Sequence, residues 1–174
     1  MAILKPFNLQ KWIDENRHLL KPPVGNKQVY IGNDDFIVMV VGGPNGRKDY
    51  HFEDGEELFY QLEGDIQVKI IHPDGTPETI DIREGEMFLL PARVPHSPQR
   101  PANTIGLVIE RTRKPEEIDK LIWFCESCNN MLHEASFEMK DIVNQLPVAM
   151  NAFMGNEGLR TCAKCGAVMT PPAK

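Results

Sequence analysis

Two glycine-framed stretches decide how this chain is read: Gly46-Arg47-Lys48-Asp49-Tyr50-His51, followed by Glu57 and Gly64, and Gly85 followed by Pro91-Ala92-Arg93-Val94-Pro95-His96. Two neutral imidazoles and one carboxylate on one face of an octahedral metal leave three positions open. That donor set suits non-haem Fe(II), which must hold an organic molecule and O₂ together. From Tyr30 to Arg111 the surrounding chain is cut into short strand-like runs. Phe36-Ile37-Val38-Met39-Val40-Val41 reads as a buried strand, while residues 65–70 and 79–83 alternate with period two. Pro73-Asp74-Gly75 supplies a hairpin turn between them. Further strands are expected over 86–90 and 105–110. Many short strands at such spacing predict a mainly β sandwich or barrel, the class that includes jelly rolls.

Outside this region the texture changes. Asn8 is placed to cap a helix over 9–20, with Leu9, Trp12, Ile13 and Leu20 at helical spacing and Pro22-Pro23 as its stop. After Arg111 the charged stretch Thr112-Arg113-Lys114-Pro115-Glu116-Glu117 reads as a boundary, dividing the chain into units 1–112 and 113–174. The second unit carries Cys125-Glu126-Ser127-Cys128 and Cys162-Ala163-Lys164-Cys165. Two such pairs, with no export signal at Met1-Ala2-Ile3-Leu4-Lys5-Pro6, read as a tetrahedral Cys₄ metal site rather than as disulfides. A tail of about 60 residues is marginal without a staple, and a metal supplies one. Between the pairs, two short helices are expected, one over 141–146 and one opened by Pro147 at a first-turn position. Pro171-Pro172-Ala173-Lys174 is expected to fray.

Composition excludes several classes. The chain has 174 residues, is 41% hydrophobic and 25% charged, and carries a net charge of -6. An acidic surface argues against nucleic acid as a partner. No apolar run reaches the ~18–20 residues of a membrane span, so a cytoplasmic protein is expected. Of the five histidines, His18, His72 and His133 read as surface or capping residues. Arg47 and Arg100 each stand four residues from His51 and His96, where a guanidinium fits a carboxylate by paired hydrogen bonds. Taken singly, each Arg is equally well read as a surface residue. Glu110 ends the apolar run Leu107-Val108-Ile109, where a carboxylate is costly to bury without a partner; a salt bridge with Arg111 or a solvated strand end is the plainer reading.

The two glycine-framed stretches resemble the paired motifs of cupins, with Glu53 where many cupins carry a second His and Arg100 where a polar amide often closes the second motif. A closer resemblance covers nearly the whole chain. Leu19-Leu20-Lys21-Pro22-Pro23-Val24-Gly25-Asn26, Val41-Gly42-Gly43-Pro44-Asn45, Asp49-Tyr50-His51, Phe59-Tyr60-Gln61 and Val94-Pro95-His96-Ser97-Pro98-Gln99-Arg100 are similar to segments of the 3-hydroxyanthranilate 3,4-dioxygenase family. So are Val108-Ile109-Glu110-Arg111, Trp123-Phe124-Cys125 and the second cysteine pair, as in the microbial and fungal form.

This resemblance implies a cupin jelly-roll barrel with an N-terminal helix and a small helical, rubredoxin-like C-terminal module. It implies opening of the ring of 3-hydroxyanthranilate by O₂ to 2-amino-3-carboxymuconate semialdehyde, in the tryptophan–kynurenine route to quinolinate and NAD. By the same resemblance His51, Glu57 and His96 hold catalytic Fe(II), and Glu57 thereby stands in the substrate site as well. Arg100 pairs with the substrate carboxylate, Arg47 lies near O₂, Asn26 lines the pocket, and Glu110 manages the proton of the ortho hydroxyl or amino group. Cys125, Cys128, Cys162 and Cys165 hold a second iron or a zinc, and the protein is a homodimer. The residues by themselves also accommodate a non-catalytic cupin that binds a small anion, or a cupin dioxygenase or isomerase acting on another substrate.

Overall fold

A computed structural model describes residues 3–22, 25–31, 35–140 and 142–171, with backbone alone for 142–144. Met1 and Ala2 of the N-terminal segment, Pro23 of the helix stop, Val24, Asp141 of the expected fourth-quarter helix and 172–174 of the tail lie outside the described residues.

The elements run in the order α1 (Leu9–Asn16), a 3₁₀ turn (Arg17–Leu19), β1 (Asn26–Gln28), β2 (Phe36–Gly42), β3 (Tyr50–Phe52), β4 (Glu57–Glu63), β5 (Ile66–Ile71), β6 (Pro77–Ile82), β7 (Met87–Leu90), β8 (His96–Gln99), β9 (Ile105–Arg111), β10 (Asp119–Phe124), β11 (Met131–Phe137), α2 (Ile142–Met154) and α3 (Glu157–Arg160). Asn8 caps α1 by accepting from Lys11 N, as its position predicts. The last turn of the expected helix tightens to 3₁₀.

The strands form two antiparallel sheets, ordered β1-β2-β9-β4-β7 and β11-β10-β3-β8-β5-β6. The pairs β5·β6, β4·β7, β3·β8 and β2·β9 each join strands equally distant from the turn at Asp74-Gly75. That is one long antiparallel hairpin rolled into two layers, a jelly roll. Inward residues of both layers make one core: Met39, Phe59, Leu90 and Val108 from the first sheet meet Ile66, Val68, Ile70 and Ile82 from the second. Alternate residues face outward, so Val40 and Ile105 pack against Ile13 and Leu20 of the N-terminal segment. The backbones approach closely where β2 ends. A Cβ on Gly42 would lie 2.1 Å from Leu20 O, and one on Gly43 would lie 2.0 Å from Pro101 O.

Beyond residue 112 the chain is continuous with the barrel. β10 pairs with β3 and with β11, extending the second sheet, so the C-terminal part contains strands as well as helices. Trp123 of β10 stacks on Phe153 at 4.3 Å between ring centroids, and both are buried in a second core with Leu121, Leu146 and Met169. The two helices expected on either side of Pro147 are one helix, α2, with Pro147 inside it. Pro147 is the sixth residue of α2, past the first turn, so the helix forgoes the bond its N–H would have made, and Phe153 anchors the following turns in the core. Among the described residues no helix is long and apolar enough to cross a membrane.

Candidate metal centres and anion site

The jelly roll brings four polar residues inward at one place. His51 and His96 are register partners on β3 and β8 of the second sheet, and Glu57 and Glu110 are register partners on β4 and β9 of the first. One ligand atom from each of His51, Glu57 and His96 lies within 4.8 Å of the other two, and all three residues are buried. The Pro91–Pro95 approach to His96 is held by Arg93 N, which donates to Glu53 O at 2.8 Å with Arg93 at φ 63°.

The second ring nitrogens are both spoken for. His51 Nε2 lies 2.7 Å from Asp119 Oδ2, and His96 Nδ1 lies 3.1 Å from Val94 O. A carbonyl only accepts, and so does an ionised carboxylate. Burial pushes the Asp119 carboxyl up, but hydrogen bonds from His51 and Arg113 outweigh it and hold the group below its ordinary value. Both imidazoles therefore donate outward, leaving lone pairs at His51 Nδ1 and His96 Nε2.

His96 Nε2 faces Glu57 Oε2 at 2.6 Å, a spacing that either a proton on a charged imidazole or a metal ion held by both would satisfy. Burial alone would raise the Glu57 carboxyl; His96, His51 and Arg47 outweigh it and keep it below the usual carboxylate range. Two imidazoles and a carboxylate grouped within 4.8 Å can together hold a cation. A divalent metal fits this donor set.

Around the trio lies a second polar layer. Arg113 reaches three carboxyl groups: Glu53 Oε2 at 2.9 Å, Glu110 Oε1 at 3.2 Å and Asp119 Oδ2 at 2.8 Å. The first two are ion pairs without hydrogen-bond directionality, whereas Asp119 is gripped through both Nε and Nη2. Burial, with Glu110 next to it, pushes the Glu53 carboxyl up to about 11 against the pull of Arg113. Glu53 also groups with Glu57 and Glu110, one carboxylate oxygen of each lying within 4.8 Å of the other two. Glu110 pairs with Arg113 rather than with its neighbour Arg111, which instead holds Glu117.

The two other arginines differ in their partners. Arg47 is locked to Asp49, and although burial lowers it, Asp49 raises it above its ordinary value. Arg100 is buried, only 4% exposed, and among the described residues its guanidinium has no carboxylate partner. Its guanidinium donates a hydrogen bond to Gln61 Oε1 at 3.3 Å. Burial pulls it down to about 10, against the raising effect of Glu57. It remains a cation at neutral pH. Gly106 leaves the room it needs, since a Cβ there would sit 2.9 Å from Arg100 Nη1. A buried cation facing a neutral amide is suited to receive an anion. Asn26 stands on β1, three strands from β4 in the first sheet.

The four cysteines converge as a separate cluster. Cys125 Sγ–Cys165 Sγ and Cys128 Sγ–Cys162 Sγ are each 3.6 Å, and all four sulfurs lie within 4.8 Å of one another. A tetrahedral ion with bonds of about 2.3 Å has sulfur–sulfur edges of about 3.8 Å. The two pairs are built alike. Asn129 N donates to Cys125 O and Cys125 N to Asn130 O, while Gly166 N donates to Cys162 O and Cys162 N to Ala167 O. Asn129 and Gly166 hold the matching left-handed positions at φ 55° and 75°. His133 is not among the grouped ligands; its ring lies beside the stacked Trp123 and Phe153, 5.9 Å from each between centroids. His72 bonds Glu78, and His18 lies in the 3₁₀ turn.

Asp49, Gln61, Arg113 and Asp119 were not legible as site residues. Asp119 gave one signal: a lone acid opening the apolar strand Leu121-Ile122-Trp123, where burial demands a partner.

The fold and the trio define a jelly-roll protein with a buried group of potential metal ligands. The family model for 3-hydroxyanthranilic acid dioxygenase matches residues 1–154. A 3-hydroxyanthranilate 3,4-dioxygenase from Xanthomonas oryzae pv. oryzae is 52% identical over 172 residues, covering 99% of this chain and 96% of the relative. The enzyme of that name from Neurospora crassa is 52% identical, covering 94% and 89%, and that from Bacillus thuringiensis 46% identical, covering 95% and 92%. A cupin-2 domain protein from Shewanella frigidimarina is a structural neighbour with a TM-score of 0.46 and 20% identity, over 60% of this chain and 99% of its own. This chain belongs to the 3-hydroxyanthranilic acid dioxygenase family.

Proposed function

We propose that this chain is an Fe(II)-dependent enzyme that opens the ring of 3-hydroxyanthranilate with O₂ to give 2-amino-3-carboxymuconate semialdehyde. The observation that carries the reading is Arg100, a buried cation with no carboxylate of its own in the same interior as His51, Glu57 and His96. Family membership supplies the substrate whose carboxylate would complete it.

Fe(II) held by His51, Glu57 and His96 would supply a Lewis acid with open positions for an ortho hydroxyl and amino pair and for O₂. The chain's own residues do the rest. Arg100 receives the carboxylate through charge-assisted hydrogen bonds and sets the ring's orientation, keeping its contact with Gln61. Glu110, opposite Glu57 across β9 and β4, accepts the proton of the hydroxyl group. Arg47, kept fully charged by Asp49, lies where it stabilises negative charge that develops as O₂ is reduced. Burial of His51, Glu57, His96, Arg100 and Glu110 keeps water from competing for the cation. The Cys₄ cluster, a closed shell with no place for substrate, would hold zinc or a second iron as a structural staple. The reading includes a cytoplasmic homodimer.

The test is O₂ uptake together with the rise of a muconate-type absorbance when 3-hydroxyanthranilate is added to Fe(II)-loaded protein. Uptake matched to product in equal amounts is the expected result. Binding of the acid without O₂ uptake would leave a small-anion-binding cupin, and uptake with a different aromatic acid only would reassign the substrate.

A further inference from the structure

The proposed metal trio comes entirely from the eight-strand jelly roll, yet one of its ligands is oriented from outside it. β10 lies against β3 with Leu121 opposite His51, so the period-two alternation puts Asp119 on the same inward face, diagonal to His51. Its carboxylate takes the His51 Nε2 hydrogen at 2.7 Å, in a pair whose side chains are 4% and 1% exposed. Asp119 is itself fixed. Arg113 Nε and Nη2 approach it at 3.0 and 2.8 Å, and Arg113 Nη1 donates to the backbone O of Arg111 at 3.2 Å. With both oxygens gripped by a guanidinium that is 5% exposed, the carboxylate is held in one orientation, with Oδ2 against His51 Nε2.

We propose that Asp119, clamped by Arg113, is a positioning residue of the metal centre. It holds the His51 imidazole in the Nε2–H form with the Nδ1 lone pair aimed at the metal, so the strand beyond the jelly roll completes the site. A free imidazole divides its proton between two nitrogens and rotates about χ2. A carboxylate on one nitrogen removes both freedoms and raises the basicity of the other nitrogen. Asp119 touches neither substrate nor metal in this role and acts through His51 alone. The same strand runs on into Cys125, so the cysteine cluster pins its far end.

This inference rests on the proposed trio as the metal centre, and the experiment separates the two. Protein whose cysteine site is filled with zinc is titrated anaerobically with Fe(II), as the unaltered chain and as Asp119→Asn, which keeps shape and loses the charge. Fe(II) affinity is expected to fall about 10- to 100-fold in the variant, with zinc content unchanged. An affinity within twofold of the parent would overturn the positioning role, even if the variant melts at lower temperature. Failure of the parent to take up a second metal ion would sink the trio and this inference together. Should Asp119→Asn not fold, the unaltered iron-free protein decides through ¹⁵N NMR of its histidines. A proton on His51 Nε2 supports the assignment, and one on Nδ1 refutes it.

Discussion

The two metal-ligand clusters are assembled by opposite means. The cysteine cluster is two copies of one local turn, each closed by backbone hydrogen bonds within six residues and each ending its knuckle on a left-handed residue, Asn129 or Gly166. The His51–Glu57–His96 cluster is made by strand register alone: β3 against β8 on one sheet, facing β4 against β9 on the other. Four thiolates close a shell, whereas two imidazoles and a carboxylate leave it open and depend on outside groups for orientation. A site that needs only to hold can be local. One that must leave room for reactants is built into the core, among the ionisable groups Arg47, Arg100, Arg113, Glu53, Glu110 and Asp119.

If the contrast is right, damage to the two sites separates cleanly. The largest effect is expected from Glu57→Ala: turnover disappears and one of two bound metals is lost, while the cysteine site keeps its ion. Metal analysis beside an O₂-uptake assay checks this, and normal turnover would remove Glu57 from the ligand set. Cys125→Ser should do the reverse. Loss of a structural ion that contributes on the order of several kcal/mol lowers the melting temperature and yield. Folded Cys125→Ser protein should retain its turnover per iron, and loss of turnover at full iron occupancy would contradict a purely structural role.

The same contrast explains what could be read in the chain beforehand. The knuckles were legible because their ligands and turns are neighbours in sequence. β2, β5, β6, β7 and β9 were legible because apolar residues fill their inward positions. The strands that carry the site were not, since their inward residues are polar and invert the usual pattern. On β4 the inward set is Glu57, Phe59 and Gln61, with Leu58, Tyr60 and Leu62 facing out; β3 turns His51 inward between Tyr50 and Phe52. His51 and His96 were found through the glycine and proline frames around them. Asp119 and Arg113 had no such frame, because only the non-local pairing of β10 with β3 brings them to His51. Pro147 misled for a related reason: packing of Phe153 and Leu146 carries α2 through a residue that local chemistry would place at a helix start.

Within the open site, the arginine with no acidic partner should matter to binding more than to the chemical step. Arg100→Ala removes the charge-assisted bonds to a carboxylate, worth about 1.5–3 kcal/mol, so KM should rise about 10- to 100-fold with a smaller change in kcat. Steady-state kinetics decide it, and an unchanged KM would reject the carboxylate role. Stability should hold or improve, because an unpaired buried charge is removed.

The smallest effect sharpens the comparison from the surface. Glu117 lies in the loop that joins the jelly roll to β10 and accepts from Arg111 Nη1 and Nη2 at 2.6 Å each and from Lys114 N at 2.8 Å. The hydrogen bonds from Arg111 hold its carboxyl down at about 2 against a slight opposing effect of burial. A carboxyl with a folded pKa below its unfolded value stabilises fully above the unfolded pKa, about 4.3, and loses that contribution as pH falls toward 2. The pair is near the surface and screened, so Glu117→Gln should cost no more than about 1 kcal/mol at pH 7. Denaturant unfolding of parent and variant should give a gap that is constant from pH 7 to pH 5 and closes by about pH 2. A gap that widens in acid would mean that the ion pair is not what holds the loop. Because Arg113 two residues further on faces three buried carboxyls while Arg111 faces one at the surface, the same guanidinium chemistry is expected to matter far less here than at Asp119.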